Sequence, residues 1–163
     1  MNALMNDTEA TLLSHAYANP ATRISFIWGT GVNAAIQLPV SAISSQKLGK
    51  RSREWMDEAK AVLVNTEISM FGEGIFPLTA ADVELDSNST LPGFQPLEQL
   101  TSGRYLGEIF RLTLVDGAKT GIFFNGVIPE AIKEPFSLDT AVMSQIERNV
   151  ILSLLCLTLT NFG

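Results

Sequence analysis

The segment ISFIWGTGVNAA, from Ile24 to Ala35, constrains the fold of this chain more than any other stretch. Its apolar run, Ile24–Trp28, predicts a buried strand that ends at a tight turn over Gly29–Gly31. A second strand is expected to begin near Val32. Two glycines around a hydroxyl residue let backbone N–H groups approach a phosphate closely. The segment therefore predicts a strand–turn–strand unit whose turn is a candidate phosphate site.

The composition predicts a globular chain and argues against several kinds of function. With 163 residues, 46% of them hydrophobic and 17% charged, the chain can bury the core of one domain. A net charge of -6 argues against nonspecific nucleic-acid binding, which needs a positive field. The single cysteine, Cys156, excludes an intrachain disulfide framework and suits a reducing compartment. Because His15 is the one histidine, a Cys/His metal site is not expected.

Neither end of the sequence predicts a membrane span or a secretory signal. No basic region precedes a long apolar run in the first residues, MNALMNDTEA. The longest apolar run, Val150–Leu159, is shorter than the ~20 residues that span a bilayer. We expect this run to form a buried strand or helix, and the alternative is an aggregation-prone edge strand.

The rest of the pattern predicts helices around a small number of strands, which favours an α/β layer arrangement. The longest helix carries apolar residues at helical spacing and is expected to bury them: Leu106, Ile109, Phe110 and Leu114. The predicted elements, in chain order, are the end of a strand at Ala3–Met5, a helix over Glu9–Tyr17 capped by Asp7 or Thr8, an exposed loop over Pro39–Glu58 with a short helix at its end, a buried strand over Ala61–Val64, a helix over Thr79–Asp86 capped by Thr79, the long helix over Gln95–Lys119, and a helix over Ser137–Arg148 capped by Ser137.

Polar residues follow three of the predicted strands. They are Asn6 and Asp7, the glycine turn with Asn33, and the run Asn65–Glu67. In α/β sheets ligands bind outside the carboxyl ends of the strands, so we expect these residues to meet in one cleft. Carboxylates and side-chain amides together suit a polyhydroxylated ligand, since they accept from and donate to its hydroxyls. A carboxylate there could also take the proton of a hydroxyl that attacks a phosphoryl group.

Each of these residues also has a purely structural interpretation. Asp7 could cap a helix, Asn33 could stabilise its own turn, and Glu67 could pair with a nearby Lys or Arg. The Gly29–Gly31 turn could be an ordinary one, and His15 is expected on a helix surface. The sequence contains no GxSxG elbow, no GxxxxGK[ST] loop and no HExxH helix.

A set of motifs closely resembles, in order and spacing, the eukaryotic hexokinase family, and its details are most similar to fungal members. The resemblance covers about Ala3 to Glu147, and the run SGxYLGE is its most distinctive part. The motifs are NDT at 6–8, GTGVNA at 29–34, VNTE at 64–67, FG at 71–72, PG at 92–93 leading to Glu98, and SGRYLGE at 102–108.

The resemblance implies a partial actin-like ATPase, or ribonuclease-H-like, α/β fold with three central strands and flanking helices. Residues 1–149 would be the start of the large lobe, an incomplete C-terminal hexokinase domain, and residues 150–163 a divergent apolar tail. The implied activity is transfer of the γ-phosphoryl group of ATP to the 6-hydroxyl of a hexose such as glucose. The implied location is the cytoplasm, and Mg2+ would arrive with the nucleotide.

The resemblance also implies a role for individual residues. Asp7 would be the general base for the attacking hydroxyl. The residues that would hold sugar hydroxyls are Asn6, Asn33, Glu67 and Glu98, and those that would face the ATP phosphates are Gly29, Thr30 and Gly31. It implies no side-chain metal ligand, no nucleic-acid partner and no membrane span, and it does not set the oligomeric state.

The sequence departs from the family pattern at several motif positions. It has Glu9 and Ala10 after NDT, Val32 in place of a second hydroxyl in the glycine turn, and the run Ile68–Met70 after NTE. The family's first phosphate motif, its Thr-Lys sugar segment and its adenosine motif have no counterpart. We therefore expect little or no kinase activity from this chain alone. The alternatives are a sugar-binding regulator without turnover and a non-functional fragment.

Overall fold

The computed structural model describes the backbone of residues 4–160 and the side chains of residues 4–150. The chain forms two compact units, Met1–Phe71 and Gly72–Gly163. The first unit contains a three-stranded sheet with a helix packed on it, and the second unit is helical. Within the described residues, no helix combines the length and apolar character needed to cross a membrane.

The sheet of the first unit confirms the strands predicted from the glycine turn and from the later β-branched run. The described part of the first unit contains α1 (Asp7–Ala18), β1 (Ile24–Trp28), β2 (Val32–Pro39), α2 (Ser45–Leu48), α3 (Arg53–Glu58), β3 (Ala61–Asn65) and short 3-10 turns at Val40–Ala42 and Ile68–Met70. The strand order is β1-β2-β3, and both pairings are antiparallel. The short helix expected at the end of the 39–58 loop is present as α3, and α2 is an additional one.

The antiparallel register brings the predicted polar ends of the strands to one end of the sheet. Trp28 pairs with Val32, and Asn65 pairs with Ala35. Because β1 and β3 both run opposite to β2, their carboxyl ends lie beside the amino end of β2. The predicted convergence of strand ends therefore occurs for β1 and β3. The third predicted strand end, at Asn6 and Asp7, does not belong to a strand. The predicted strand end at Ala3–Met5 is wrong for residues 4 and 5, which are not in a strand, and Ala3 lies outside the described residues.

The prediction that β1 and β3 are buried is wrong in detail. In β1 only Ser25 is buried, and the apolar side chains of Ile24, Phe26 and Trp28 are all exposed. No residue of β3 is fully buried. The buried strand is β2, where Val32, Ala34 and Ala35 belong to the core. Since β2 is the central strand, it has neighbours on both edges, whereas β1 lies at an edge of the described sheet.

The second unit contains helices of very different length. They are α4 (Ala80–Ser87), α5 (Pro96–Thr101), α6 (Gly103–Lys119) and α7 (Thr140–Thr160), with 3-10 turns at Phe124–Gly126 and Glu130–Ile132. The capping prediction for α4 is confirmed, because Thr79 and Asp82 form a reciprocal capping box. Helix α6 ends where predicted, with Gly121 in the left-handed region just beyond its last turn.

The single helix predicted over 95–119 is two helices. The helix is interrupted at Ser102, whose backbone is extended, with φ -89° and ψ 152°. Ser102 is completely buried. The apolar stripe of α6 is also not its buried face. The most buried side chains of α6 include Glu108 and Arg111, which form an ion pair that the apolar pattern did not predict.

Helix α7 differs from the prediction at both ends. It begins at Thr140 rather than near Ser137, because the Asp139 side chain accepts a hydrogen bond from Ala141 N at 2.7 Å and so occupies the capping position. It continues without interruption to Thr160, so the apolar run that follows residue 149 is helical. Residues 161–163 of the predicted tail lie outside the described residues.

Candidate functional site

The amino end of α1 holds the first two predicted site residues. Asn6, and not Asp7 or Thr8, is the N-cap: its Oδ1 accepts from Thr8 N at 3.0 Å and from Thr8 Oγ1 at 2.5 Å. Glu9 completes a capping box by accepting from Asn6 N at 3.3 Å. The departure from the family pattern at Glu9 therefore has a structural reason. Within the described residues the Asn6 Nδ2 donates no hydrogen bond, so this amide keeps a donor for a ligand.

The Asp7 carboxylate is exposed at the start of the helix. Its Oδ1 accepts from Thr8 N at 2.8 Å, and within the described residues its second oxygen accepts no hydrogen bond. The first turn of a helix favours a negative charge, because the unpaired N–H groups there carry partial positive charge. Asp7 is therefore held as an accessible carboxylate close to the sheet.

A buried hydrogen bond fixes the amino end of α1 on the sheet. Ser25 Oγ donates to the Thr8 carbonyl at 2.5 Å, and Thr8 is completely buried. Ser25 pairs with Ala35, whose partner on the other side is Asn65. Since directly paired residues share a face of the sheet, the start of α1 lies over the row that ends at Asn65.

Three polar side chains at this end of the sheet form one hydrogen-bonded cluster. Asn33 Nδ2 donates to Asn65 Oδ1 at 2.9 Å, and Asn65 Nδ2 donates to Glu67 Oε1 at 2.6 Å. Asn33 Oδ1 also accepts from Ala34 N at 2.8 Å, as expected for a residue that stabilises its own backbone. The structure thus brings together Asn33 and Glu67 as predicted, through Asn65. No Lys or Arg ion pair to Glu67 occurs among the described residues.

Glu67 has a backbone conformation that is uncommon for a residue with a side chain. Its φ of 49° and ψ of 44° lie in the left-handed region. Such a conformation costs roughly 1–3 kcal/mol and persists only where the surroundings fix it. Here the residue before Glu67, Thr66, is held in place, because both its N and its Oγ1 donate to the Ala34 carbonyl. The strained backbone turns the Glu67 side chain back toward Asn65.

The glycine turn connects β1 to β2 with few internal hydrogen bonds. Gly29 N donates to Gly31 O at 2.9 Å, so this N–H is used inside the turn. In the described part of the chain, the N–H groups of Thr30 and Gly31 donate no hydrogen bond. A Cβ added at Gly29 would meet no atom within 4 Å, and its φ is outside the left-handed region. The fold itself therefore does not require glycine at position 29.

Glu98 belongs to the second unit, in the first turn of α5, where it is half-buried. The segment before it is tightly held: Asp86 Oδ1 accepts from Gly93 N at 2.7 Å and from Gln99 Nε2 at 3.0 Å. The N-cap Gln95 is also in the left-handed region, with φ 55°. These contacts fix the turn that starts α5 and so fix the position of Glu98 within its unit.

Comparison with known proteins places the chain in a family. A family model described as hexokinase matches residues 23–156. The chain belongs to the hexokinase family. It is similar to hexokinase-1 of Schizosaccharomyces pombe, with 38% identity over 149 residues, which are 90% of this chain and 30% of that protein. It is also similar to a chloroplastic hexokinase-2 of Nicotiana tabacum, with 43% identity over 86% of this chain and 27% of that protein.

The structural comparison agrees with the sequence comparison. The chain is similar to a solved hexokinase of Schistosoma mansoni in complex with glucose, with a TM-score of 0.78 and 34% identity. The match covers 90% of this chain and 32% of that one. The hexokinase relatives thus confirm the α/β fold with three strands and flanking helices. The chain spans about 30% of the length of the first of these relatives.

The two units of this hexokinase-family chain carry different parts of the predicted site. Asn6, Asp7, Asn33, Glu67 and the glycine turn are in the first unit, and Glu98 is in the second. Sequence reasoning counted Asn65 among the cleft amides but gave it no role, although its position two residues before Glu67 suits a bridging amide. It also missed the buried pair of Glu108 and Arg111, whose i,i+3 spacing on a helix is a recognisable signal.

A cavity of about 580 Å³ in the second unit lies beside this buried pair. Arg111 binds Glu108 through two hydrogen bonds, at 2.6 and 2.8 Å, and donates to the Ile132 carbonyl at 2.9 Å. The hydrogen bond to Glu108 raises the pKa of Arg111, against the effect of burial. None of the sequence-predicted site residues lines this cavity. Among the described residues, no three His, Cys, Asp or Glu side chains form a group suited to a metal ion.

Proposed function

We propose that this chain carries the sugar-holding and phosphate-facing parts of a hexokinase, for transfer of the γ-phosphoryl group of ATP to the 6-hydroxyl of a hexose such as glucose. The observation that carries the proposal is the joint position of Asn33, Asn65 and Glu67 beside the helix start that presents Asp7. The relative of known structure from Schistosoma mansoni, which is complexed with glucose, supports glucose as the first sugar to test.

Each side chain of the proposed site suits one task. The exposed Asp7 carboxylate would accept the proton of the sugar hydroxyl as this hydroxyl attacks phosphorus. The Glu67 carboxylate would accept from sugar hydroxyls, and the amides of Asn6 and Asn33 would donate to them. Glu98 is proposed as a sugar-contacting carboxylate from the family motif alone. Asp7 would form no bond to the phosphoryl group. It would become a carboxylate again when it releases the proton to solvent.

The glycine turn suits the phosphates of ATP. The N–H groups of Thr30 and Gly31 are the available donors, since that of Gly29 is used within the turn. The absence of a side chain at Gly29 would let a phosphate approach the backbone. Mg2+ would enter with the nucleotide and neutralise charge on its phosphates. A cytoplasmic location is part of the proposal, and the tobacco relative that is named chloroplastic makes the chloroplast the alternative compartment to test.

The test measures glucose binding and ADP release with the 163-residue chain. We expect glucose-dependent shifts in the NMR spectrum of the first unit. Turnover by this chain alone is expected to be low, and the ADP release that remains should fall about 100-fold or more in Asp7→Asn, consistent with loss of a general base. Asp7→Asn keeps the Oδ1 that accepts from Thr8 N, so the helix start is retained. Glu67→Gln should lose glucose affinity. Glu54→Gln, an exposed carboxylate of α3, is the matched control.

The outcomes separate the candidate functions. Glucose binding together with Asp7-dependent turnover supports the kinase. Glucose binding without turnover in the unmodified chain favours a sugar-binding regulator, for which Val32 is the supporting observation, because a buried valine replaces a phosphate-side hydroxyl of the family pattern. If the unmodified chain shows no glucose binding and no turnover, the proposal is overturned for this chain.

A further inference from the structure

We propose that Asn65 is a positioning residue that holds the Glu67 carboxylate and the Asn33 amide in one fixed arrangement. The inference rests on the proposed function for its sugar-binding consequence, but its geometric content is independent of it. Asn65 occupies the centre of the cluster, since its two amide atoms bond to both neighbours. Its own side chain is half-buried.

The chemistry of the cluster requires a side-chain amide at its centre. Asn65 Oδ1 accepts from Asn33 Nδ2 at 2.9 Å and from Glu67 N at 3.3 Å, while Asn65 Nδ2 donates to Glu67 Oε1 at 2.6 Å. A carboxylate could accept both bonds but could not donate to Glu67, and an alkyl side chain could do neither. Glutamine has both groups but is longer by one methylene. Asparagine is thus the residue type that fits all three contacts.

The same amide stabilises the unusual backbone of Glu67. Glu67 N donates to Asn65 Oδ1, and this hydrogen bond closes an Asx turn, in which an Asn side chain accepts from the backbone N–H two residues later. Glu67 is in the left-handed region, and the bond from Asn65 Nδ2 anchors its carboxylate at the same time. Asn65 therefore fixes Glu67 at both its backbone and its side chain.

The arrangement determines what the cluster offers to a ligand. Asn33 uses Oδ1 for Ala34 N and one hydrogen of Nδ2 for Asn65, so one N–H hydrogen remains. Glu67 has Oε1 occupied by Asn65, and Oε2 remains as an acceptor. One donor and one acceptor in fixed relation match a pair of neighbouring hydroxyl groups. Loss of Asn65 should weaken this match without removing either binding group.

The experiment compares Asn65→Asp and Asn65→Ala with Asn19→Asp, in the whole chain. Asn19 is an exposed residue of the same unit, so its substitution gives the same charge change away from the cluster. In the absence of sugar, NMR should show Glu67 leaving the left-handed region and the Asn33 side-chain amide resonances moving in Asn65→Ala, which loses all three contacts. In Asn65→Asp the two accepted bonds can remain, and the Glu67 side-chain resonances should move, because a carboxylate at position 65 repels that of Glu67 instead of donating to it. Glucose should bind at least about tenfold more weakly to Asn65→Asp, a loss of about 1.4 kcal/mol, and Asn19→Asp should resemble the unmodified chain.

The two levels of the hypothesis fail differently. If the unmodified chain binds no glucose, the proposed function fails, and the sugar-free NMR measurements still decide the role of Asn65. If a folded Asn65→Ala keeps the Glu67 backbone and the Asn33 amide resonances unchanged, or a folded Asn65→Asp keeps the Glu67 side-chain resonances unchanged, the positioning role is overturned. It is also overturned if Asn19→Asp weakens glucose binding as much as Asn65→Asp. Should Asn65→Ala not fold, the nearly isosteric Asn65→Asp still provides the Glu67 side-chain and glucose-affinity measurements.

Discussion

At the scale of single residues, adjacent positions in this chain divide structural and chemical tasks. Asn6 accepts the capping bonds of α1, while its neighbour Asp7 presents an exposed carboxylate. The sequence alone did not show which of them caps the helix, because Asn, Asp and Thr are all good N-cap residues and stand in a row. The capping box with Glu9 decides in favour of Asn6, since its spacing of three residues fits only that start.

This division predicts unequal losses of stability for two neighbouring substitutions. Asn6→Ala should lower the free energy of unfolding by about 1 kcal/mol, because two hydrogen bonds from Thr8 lose their acceptor. Asp7→Asn should change it by less, about 0.3–1 kcal/mol, from the lost charge at the helix start. Urea denaturation followed by circular dichroism measures both. An equal or larger loss in Asp7→Asn would contradict the assignment of the cap.

Gly29 offers a second test at this scale. A methyl group at position 29 meets no atom within 4 Å, and the backbone there suits any residue. Gly29→Ala should therefore keep the stability of the chain or raise it by about 0.4–1 kcal/mol. We expect the same variant to bind ATP more weakly, because its methyl group would stand where a phosphate approaches. Calorimetric titration with ATP measures this, and unchanged glucose binding by the same variant is the control. Unchanged ATP binding would count against a phosphate role for this turn.

At the scale of elements, the sequence predicted which segments are regular better than it predicted where they break. Strands β1 to β3 and helix α4 follow from short-range patterns of apolar and capping residues. The break at Ser102 does not, because a helical apolar pattern continues across it. A tertiary contact fixes the start of α6 there: Thr140 Oγ1 donates to the Gly103 carbonyl at 2.6 Å and accepts from Gly107 N at 2.8 Å. Such contacts between distant residues are invisible to local periodicity.

The approach of α7 to α6 predicts the effect of a methyl group at Gly107. A Cβ there would lie 2.3 Å from the Leu138 carbonyl oxygen and 2.8 Å from Thr140 N, which are backbone atoms. We expect Gly107→Ala to destabilise the second unit by about 1–3 kcal/mol through overpacking, which exceeds the gain of about 1 kcal/mol in helix propensity. Thr113→Ala, at an exposed position of α6, is the control. Chemical denaturation measures both, and a more stable Gly107→Ala would show that the contact is loose.

The buried pair of α6 predicts a larger effect. Arg111→Leu should lower the free energy of unfolding by roughly 3–5 kcal/mol, because the Glu108 carboxylate is left buried without a positive charge beside it and keeps only the hydrogen bond from Phe136 N. The pKa of Arg111 is raised by its hydrogen bond to Glu108, so its contribution is fully present below the ordinary arginine pKa and is lost only above the raised one. The stability difference between Arg111→Leu and the unmodified chain should therefore not shrink through titration of Arg111 at neutral or mildly alkaline pH. Denaturation curves at two such pH values check this.

At the scale of the whole molecule, the family and the meeting of Asn33 with Glu67 could be predicted, and the distribution of burial could not. The motifs around Asp7, Asn33 and Glu67 can be recognised from the types of residue and their order in the sequence. Burial depends on which faces of a strand or helix are packed against other elements. In the first unit few residues pack against the apolar side chains of β1, so Ile24 is 60% and Trp28 64% exposed. The apolar run predicted a core strand, but the structure gives an apolar surface at the edge of the described sheet.

This surface predicts self-association of the chain in solution. Ile24, Phe26 and Trp28 alternate along β1 and so share one face, and an exposed apolar edge strand is a known site of pairing between copies. The double substitution Ile24→Lys/Phe26→Lys should reduce light scattering at high protein concentration, because two charges oppose association at this edge. The control is Leu13→Lys/Met56→Lys, which adds the same charge at exposed apolar positions elsewhere in the first unit. Equal improvement in both variants would mean that net charge, and not the face of β1, governs association.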